Sequence, residues 1–138
     1  MIISKTVSIP TRGRGDIIDI TQQIASQIQN TQISAGIVTI FVAGSTAGIS
    51  TIENEDGLIS DFKAMWERLV PQNIRYEHNE RWRDGNGYAH VRASLLGPSL
   101  TIPLVNQRLS LGTWQQIILV DFDNRARQRE IVVQIMGE

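Results

Sequence analysis

The stretch Ile-Val-Thr-Ile-Phe-Val at residues 37–42 decides the class of fold that this sequence predicts. It is short, rich in β-branched side chains and apolar on both faces, which is typical of a central strand buried on both sides. It leads directly into the glycine-containing segment Ala-Gly-Ser-Thr-Ala-Gly at residues 43–48. The sequence therefore predicts a central strand that holds a polar loop rigidly at its end.

Further strands are predicted on either side of this central strand. Residues 2–9 alternate polar and apolar side chains, and another strand follows the glycine loop at 48–53. Four late strands are predicted at residues 91–96, 100–104, 117–122 and 130–136. Their short connections favour antiparallel pairing, because a parallel crossover needs about a dozen residues or more.

Two helices are predicted between the strands. The first begins at a Thr21 cap and ends at the segment 34–36. The second ends before Pro71 and carries one apolar stripe, formed by Leu58, Phe62, Trp66 and Leu69. We therefore expect Trp66 in the core.

Size, charge and composition narrow the possible functions. A chain of 138 residues fits one domain with a continuous core, residues 1–138. The absence of cysteine excludes disulfides, a thiolate nucleophile and cysteine-ligated metal sites. A net charge of −1 gives no global field that would recruit nucleic acid or an anionic membrane. We therefore expect that the protein binds neither nucleic acid nor a membrane. The first residues lack the pattern of a signal peptide, so we also expect a cytoplasmic protein.

Both histidines lie in one polar segment, residues 78–90. His78 and His90 are separated by a stretch with two glycines, so a hairpin-like excursion would return both imidazoles to one pocket. Asp84 lies between them and would complete a two-histidine, one-carboxylate set with open positions for water or substrate. Two such histidines are also common as ordinary hydrogen-bonding residues. The sequence therefore predicts a candidate metal site and leaves the plainer interpretation open.

The neighbouring turn and the glycine loop supply further polar candidates. Asp84 and Asn86 form an ordinary turn signal, yet beside His90 they would orient an imidazole or bind substrate. Ser45 and Thr46 offer hydroxyls next to backbone N–H groups, the chemistry that holds phosphate, although a simple turn between strands explains them equally well.

Three further positions have both a functional and a structural interpretation. Glu53 leaves the glycine loop and would act as a base in the same pocket, or it is simply solvated. Gln115 is a candidate polar contact to a ligand. Its neighbour Trp114 would form a wall of the pocket or of a subunit contact, but we expect it to pack in the core. Arg125, Arg127 and Arg129 alternate near a predicted hairpin at 123–124, which would place them on one sheet face, and they are expected at a solvated edge rather than in a phosphate clamp.

A series of short motifs runs through the chain in a fixed order. They are Thr46-Ala47-Gly48 with Ile52-Glu53-Asn54, His78-Asn79, Asp84-Gly85-Asn86, Ala89-His90, Gly97-Pro98-Ser99 and Leu111-Gly112-Thr113-Trp114-Gln115-Gln116-Ile117. This order resembles the YjbQ family, whose members are also called secondary thiamine-phosphate synthases. The resemblance implies a single α+β domain with a curved, mostly antiparallel sheet or sandwich, two flanking helices and assembly as a homotrimer.

The resemblance also implies a function and a site. The activity would be weak condensation of a pyrimidine diphosphate with a thiazole phosphate to give thiamine phosphate, with a divalent metal, zinc or magnesium. The catalytic residues would be His78, Asp84, His90 and Glu53, and the ligand contacts would be Ser45, Thr46, Asn86 and Gln115.

Two other functions compete with this enzyme hypothesis. One is a non-enzymatic trimer that binds a metal or a small anionic molecule without turnover. The other is a scaffold whose pocket has lost its ligands, because Gly44 and Tyr88 stand where the resemblance leads us to expect histidines.

Overall fold

Two antiparallel sheets form the framework of the computed structural model, which describes residues 1–138. The strands are β1 (Ile2–Thr11), β2 (Asp16–Asp19), β3 (Gly36–Val42), β4 (Ala47–Ile52), β5 (Ser99–Val105), β6 (Arg108–Leu109), β7 (Gln116–Asp121) and β8 (Arg127–Gly137). The larger sheet has the order β1-β8-β3-β5-β6, and the smaller sheet has the order β2-β7-β4. Every neighbouring pair is antiparallel. The late strands do not pair with one another, however, because β5 pairs with β3 and β6, β7 with β2 and β4, and β8 with β1 and β3.

Four helices accompany the sheets, two more than the sequence predicted. They are α1 (Thr21–Gln29), α2 (Asp56–Leu69), α3 (Glu77–Trp82) and α4 (Gly87–Leu96). The α+β class is confirmed, but the strand predicted at 91–96 is wrong because this segment is the second half of α4. Ala89 and Ala93 are buried one turn apart, while Val91 points outwards, so the burial follows a helical period.

The core consists of two layers that meet at β7. On one face, Ile117 and Leu119 join the large cluster between the two sheets and α1. On the other face, Ile118, Val120 and Phe122 join a smaller cluster formed with α2 and α4. The strand that is covered on both sides is therefore β7, since each face of it is packed against a separate layer.

The sequence assigned that double burial to β3, which is only partly correct. β3 lies between β8 and β5, so it is central in its sheet. Val38 and Ile40 are fully buried, but Ile37 and Phe41 on the opposite face are 41% and 42% exposed. The outer face of the large sheet is therefore uncovered in the single chain.

The ends of the two predicted helices differ in how they are held. Thr21 is the first residue of α1 and not its cap: its hydroxyl donates to Asp19 at 2.6 Å and accepts from the backbone N–H of Ile117 at 2.9 Å. α2 ends at Leu69 before Pro71, and Trp66 is 4% exposed, as predicted. No helix combines the length and the apolar character that crossing a bilayer requires.

Candidate functional site

The two histidines lie on short helices that fold back on each other. Arg83 ends α3 in the left-handed conformation, with φ of 54°, and Gly85 follows with φ of 71°. These two residues reverse the chain before α4 begins at Gly87. His78 and His90 thereby meet with their ring centroids 4.4 Å apart, so the predicted convergence of the imidazoles is observed.

Asp84, in the turn between α3 and α4, completes the cluster. Its Oδ1 lies 3.3 Å from Nδ1 of His78 and accepts a hydrogen bond from the backbone N–H of Asn86 at 3.1 Å. One ligand atom from each of His78, Asp84 and His90 lies within 4.8 Å of the others. The cluster therefore offers two nitrogens and one carboxylate oxygen to a single point.

The Nδ1 atom of His78 has no hydrogen-bond partner although it is buried. Asp84 approaches to 3.3 Å, which is short enough for an ion pair, but the two groups do not form a hydrogen bond. A buried polar atom normally has a partner. Ligand atoms in a tetrahedral zinc site lie about 3.3 Å apart, which the zinc–nitrogen bond length of about 2.0–2.1 Å dictates. The His78–Asp84 pair has this spacing, and the ligand atom of His90, within 4.8 Å of both, would join the same cation after a small side-chain movement.

The turn that carries Asp84 is tied to the end of β7. The side-chain amide of Asn124 donates to the backbone carbonyl of Asp84 at 2.7 Å, and its backbone N–H donates to Oδ1 of Asn86 at 2.9 Å. Oδ1 of Asn79 accepts from the backbone N–H of Gly87 at 2.8 Å. These three hydrogen bonds fix the turn to the rest of the structure, and they thereby fix the position of Asp84.

Gly87 allows the close approach of the two histidine-bearing helices. A Cβ atom at this position would lie 2.6 Å from Cβ of Tyr76, which is closer than side chains tolerate. Only glycine therefore permits α4 to begin against the residue that precedes α3.

A buried network of charged groups lies directly behind this turn. Arg129 forms a bidentate pair with Asp121 at 2.8 and 2.9 Å and donates to the hydroxyl of Thr46 at 2.6 Å. Thr46 in turn donates to Asp123 at 2.9 Å, and Arg127 contacts the same carboxylate at 3.0 Å. Both aspartates are fully buried. The prediction that Arg129 lies on a solvated edge is therefore wrong.

Hydrogen bonding decides the charge state of Asp123. Burial would raise the pKa of this carboxyl group, but hydrogen bonds from Thr46 and Asn86, together with Arg127, outweigh that effect and hold its pKa below the ordinary value. Asp123 is therefore ionised in the folded protein.

Gly44 and Tyr88 have structural roles in this chain. A Cβ atom at Gly44 would lie 2.6 Å from Nη1 of Arg129, so the arginine fills the space that a side chain would need. Tyr88 is 2% exposed and packs in the cluster formed by β7, α2 and α4. The guanidinium carbon of Arg92 lies over the Tyr88 ring, 5.0 Å from the ring centroid. Burial raises the pKa of the Tyr88 hydroxyl.

The other predicted site residues lie apart from the histidines. Ser45 is exposed, and the hydroxyl of Thr46 is engaged in the buried network. Gln115 accepts from the backbone N–H of Gly112 at 3.0 Å and donates to Thr51 at 3.0 Å, bonds that close its own loop. Glu53 is exposed in a separate surface cavity.

Trp114 lines the same cavity as Glu53 and is 72% exposed, so its predicted place in the core is wrong. Sequence reasoning also missed Asn79 and Asn124, which hold the turn. The run Asp-Phe-Asp-Asn at 121–124, directly after a buried strand, was the available signal.

The chain is similar to one family of proteins along almost its whole length. The family model described as "UPF0047 protein YjbQ-like" matches residues 5–138. A UPF0047 protein of Methanothermobacter thermautotrophicus is 36% identical over 137 residues, which cover 99% of this chain and 94% of that protein. The UPF0047 protein YugU of Bacillus subtilis is 37% identical over 134 residues, covering 96% and 98% respectively.

Solved structures share the fold. The crystal structure of a YbjQ-like protein of unknown function from Sulfolobus solfataricus P2 matches with a TM-score of 0.94 at 33% identity, covering 100% of this chain and 99% of that one. A hypothetical protein from Aeropyrum pernix K1 matches with a TM-score of 0.91 at 29% identity, covering 99% of each chain.

The lowered pKa of Asp123 predicts how stability depends on pH. Because the carboxyl group has a lower pKa in the folded chain than in the unfolded chain, its ionisation contributes fully to the free energy of unfolding above the unfolded pKa of about 3.9. This contribution is lost as the pH falls through the lower pKa of the folded protein. We expect Asp123→Asn to reduce the free energy of unfolding at pH 7 by about 1–3 kcal/mol. Urea unfolding of both proteins should show this difference shrinking below about pH 4. An equal difference at pH 7 and pH 3 would contradict the assignment.

Proposed function

This chain belongs to the UPF0047 protein YjbQ-like family, and from that premise we propose that it binds a divalent metal ion through His78, Asp84 and His90. The observation that supports this is the approach of one ligand atom from each of the three residues to within 4.8 Å. The unpartnered Nδ1 of His78 adds weight, because a bound cation would satisfy it.

Zinc fits these donors better than magnesium. Imidazole nitrogen and carboxylate oxygen are ordinary zinc ligands, whereas magnesium prefers oxygen ligands in an octahedral arrangement. A zinc ion held by three protein groups keeps a position open for water or a small ligand, which it would polarise. Asp84, fixed by Asn86 and Asn124, would set the direction in which this position opens.

The charged surface beside His78 bears on which ligand a bound metal would take. His78 borders an open cavity of about 630 Å³ whose other lining residues are Glu77, Glu80, Arg81 and Trp82. Arg75 pairs with both Glu77 and Glu80 at 3.4 Å, which leaves Arg81 as the one unpaired charge on this surface. A single guanidinium is a weak partner for a leaving diphosphate, so we favour binding of a small anionic molecule at the metal over the release of diphosphate that thiamine-phosphate formation requires.

Zinc content measures the metal proposal directly. The purified chain, treated with chelator and dialysed against zinc, is expected to retain about one zinc ion per chain by elemental analysis. His90→Ala and Asp84→Asn should weaken zinc binding more than about 100-fold in calorimetric titration. Removal of a residue that binds the metal costs more affinity than removal of a residue that only hydrogen-bonds to such a ligand. Asp84 is half-exposed in its turn, so the variant is expected to fold.

Glu53→Gln provides the matched control. It removes an exposed carboxylate from another cavity and should retain zinc like the unchanged protein. Equal zinc retention by His90→Ala and the unchanged chain would contradict the metal site. The same proteins, assayed for condensation of the two thiamine precursors, separate an enzyme from a binding protein: turnover that His90→Ala abolishes would replace our proposal with the enzyme hypothesis.

We further propose that the chain assembles as a homotrimer through the outer face of the large sheet. Ile2, Met136 and Ile37 are cross-strand neighbours on that face, with 60%, 46% and 41% of their surfaces exposed. Such a row of apolar side chains is typical of a surface that a partner covers.

Sedimentation velocity tests the assembly. We expect three times the 15.4 kDa mass of one chain, and dissociation by Met136→Glu, which places a charge in the apolar row. Leu69→Glu, on the exposed side of α2, is the control that should leave the mass unchanged. A monomer mass for the unchanged chain would contradict the proposal.

A further inference from the structure

A second cavity lies behind the smaller sheet, away from the histidines. It has a volume of about 200 Å³ and is bordered by Arg14, Lys63, Arg92, Glu67 and Trp66 among its polar residues. The residues come from the turn before β2, from α2 and from α4. None of them belongs to the cluster of His78, Asp84 and His90, so this cavity is a separate feature of the molecule.

The lining of this cavity carries more positive than negative charge. Arg92 is held in place, because it donates to Glu67 at 2.7 Å and to the carbonyl of Val70 at 2.9 and 3.0 Å. Arg14 and Lys63 have no carboxylate within 4 Å, in contrast to Arg92. Three cations and one carboxylate leave a surplus of two positive charges at the cavity.

Trp66 adds an unused hydrogen-bond donor to this group of cations. The side chain is 4% exposed, and its Nε1–H has no hydrogen-bond partner. Buried indole N–H groups usually find an acceptor, and Trp66, whose ring borders the cavity, has none within the chain. Its ring is fixed by an edge-to-face contact with Phe122, the centroids being 4.9 Å apart.

The rest of the lining is apolar. Ile17, Val120 and Phe122 border the same cavity. Its volume is below the roughly 300–1,000 Å³ of pockets that hold drug-sized molecules. A ligand with a compact hydrocarbon or aromatic body fits this combination of size and surface.

We propose that this cavity binds a phosphate monoester with a compact apolar or aromatic body. A phosphate monoester carries close to two negative charges at neutral pH and three acceptor oxygens, which match the surplus charge and the N–H donors of Arg14 and Lys63. The apolar residues receive the body of the ester. The proposal uses no residue of the metal site and stands independently of it.

The indole N–H signals of the full chain provide a direct test, with phenyl phosphate as the probe. The protein has three tryptophans, and Trp82 and Trp114 are 68% and 72% exposed on other cavities. In proton–nitrogen correlation spectra of chelator-treated protein, phenyl phosphate should move the signal that Trp66→Phe removes. The other two indole signals should stay in place.

The two lysines of the chain give a matched pair of variants. Lys63→Met should weaken phenyl phosphate binding about tenfold in calorimetric titration, because it removes one charged donor. Lys63→Arg should restore most of the affinity. Lys5→Met, in β1, should bind like the unchanged protein. Lys63 is exposed, so its variants are expected to fold, and their spectra report this directly.

Several results would overturn the proposal. No movement of the Trp66 signal at millimolar phenyl phosphate would remove the site, and so would equal affinity of Lys63→Met and the unchanged chain. Equally tight binding of inorganic phosphate would remove the role of the apolar body, and equally tight binding of benzoate would remove the phosphate assignment. If His90→Ala no longer bound phenyl phosphate, the anion would be assigned to the metal cluster and the proposal would be wrong. Retained binding supports a separate site.

Discussion

The burial of two carboxylates at the end of β7 is the constraint on which the other parts of the structure depend. Asp121 and Asp123 are fully buried, and an isolated buried charge is very costly. Arg129 of β8 therefore pairs with Asp121 across the gap between the two sheets. Thr46, from the loop between β3 and β4, bridges the arginine to Asp123. Elements distant in the chain are thus fixed to one point.

The candidate metal cluster is an extension of that network to the surface. Asn124, which follows Asp123, donates its backbone N–H to Oδ1 of Asn86 and its side-chain amide to the carbonyl of Asp84. The turn with Asp84 is therefore attached to the rigid end of a buried strand, although it lies between two short helices. This attachment explains how a glycine-containing turn can present a carboxylate to two imidazoles at a defined distance.

Periodicity predicted most of the framework, because alternating and helical patterns are local properties of the chain. It failed at residues 91–96, where a short apolar run fits a strand or a helix equally well and packing against β7 selects the helix. The convergence of His78, Asp84 and His90 was predictable from the flexible residues between them. The roles of Asn124 and Arg129 were not, because tertiary structure selects their hydrogen-bond partners. Asp84 lies 40 residues from Asn124, and Thr46 lies 83 residues from Arg129.

The contact between Gly44 and Arg129 also constrains how this protein can change in sequence. Gly44 adopts a φ of +132°, and the guanidinium occupies the volume beside it. Any larger residue at this position displaces an arginine that neutralises a buried aspartate, so the two sites are coupled by epistasis. The φ of Gly44 also strains any side chain at this position, so replacement of the glycine requires a change of backbone conformation as well as a new position for the arginine. Evolution can therefore replace Gly44 only in combination with other changes, and the pairing of Gly44 with Arg129 is expected to persist.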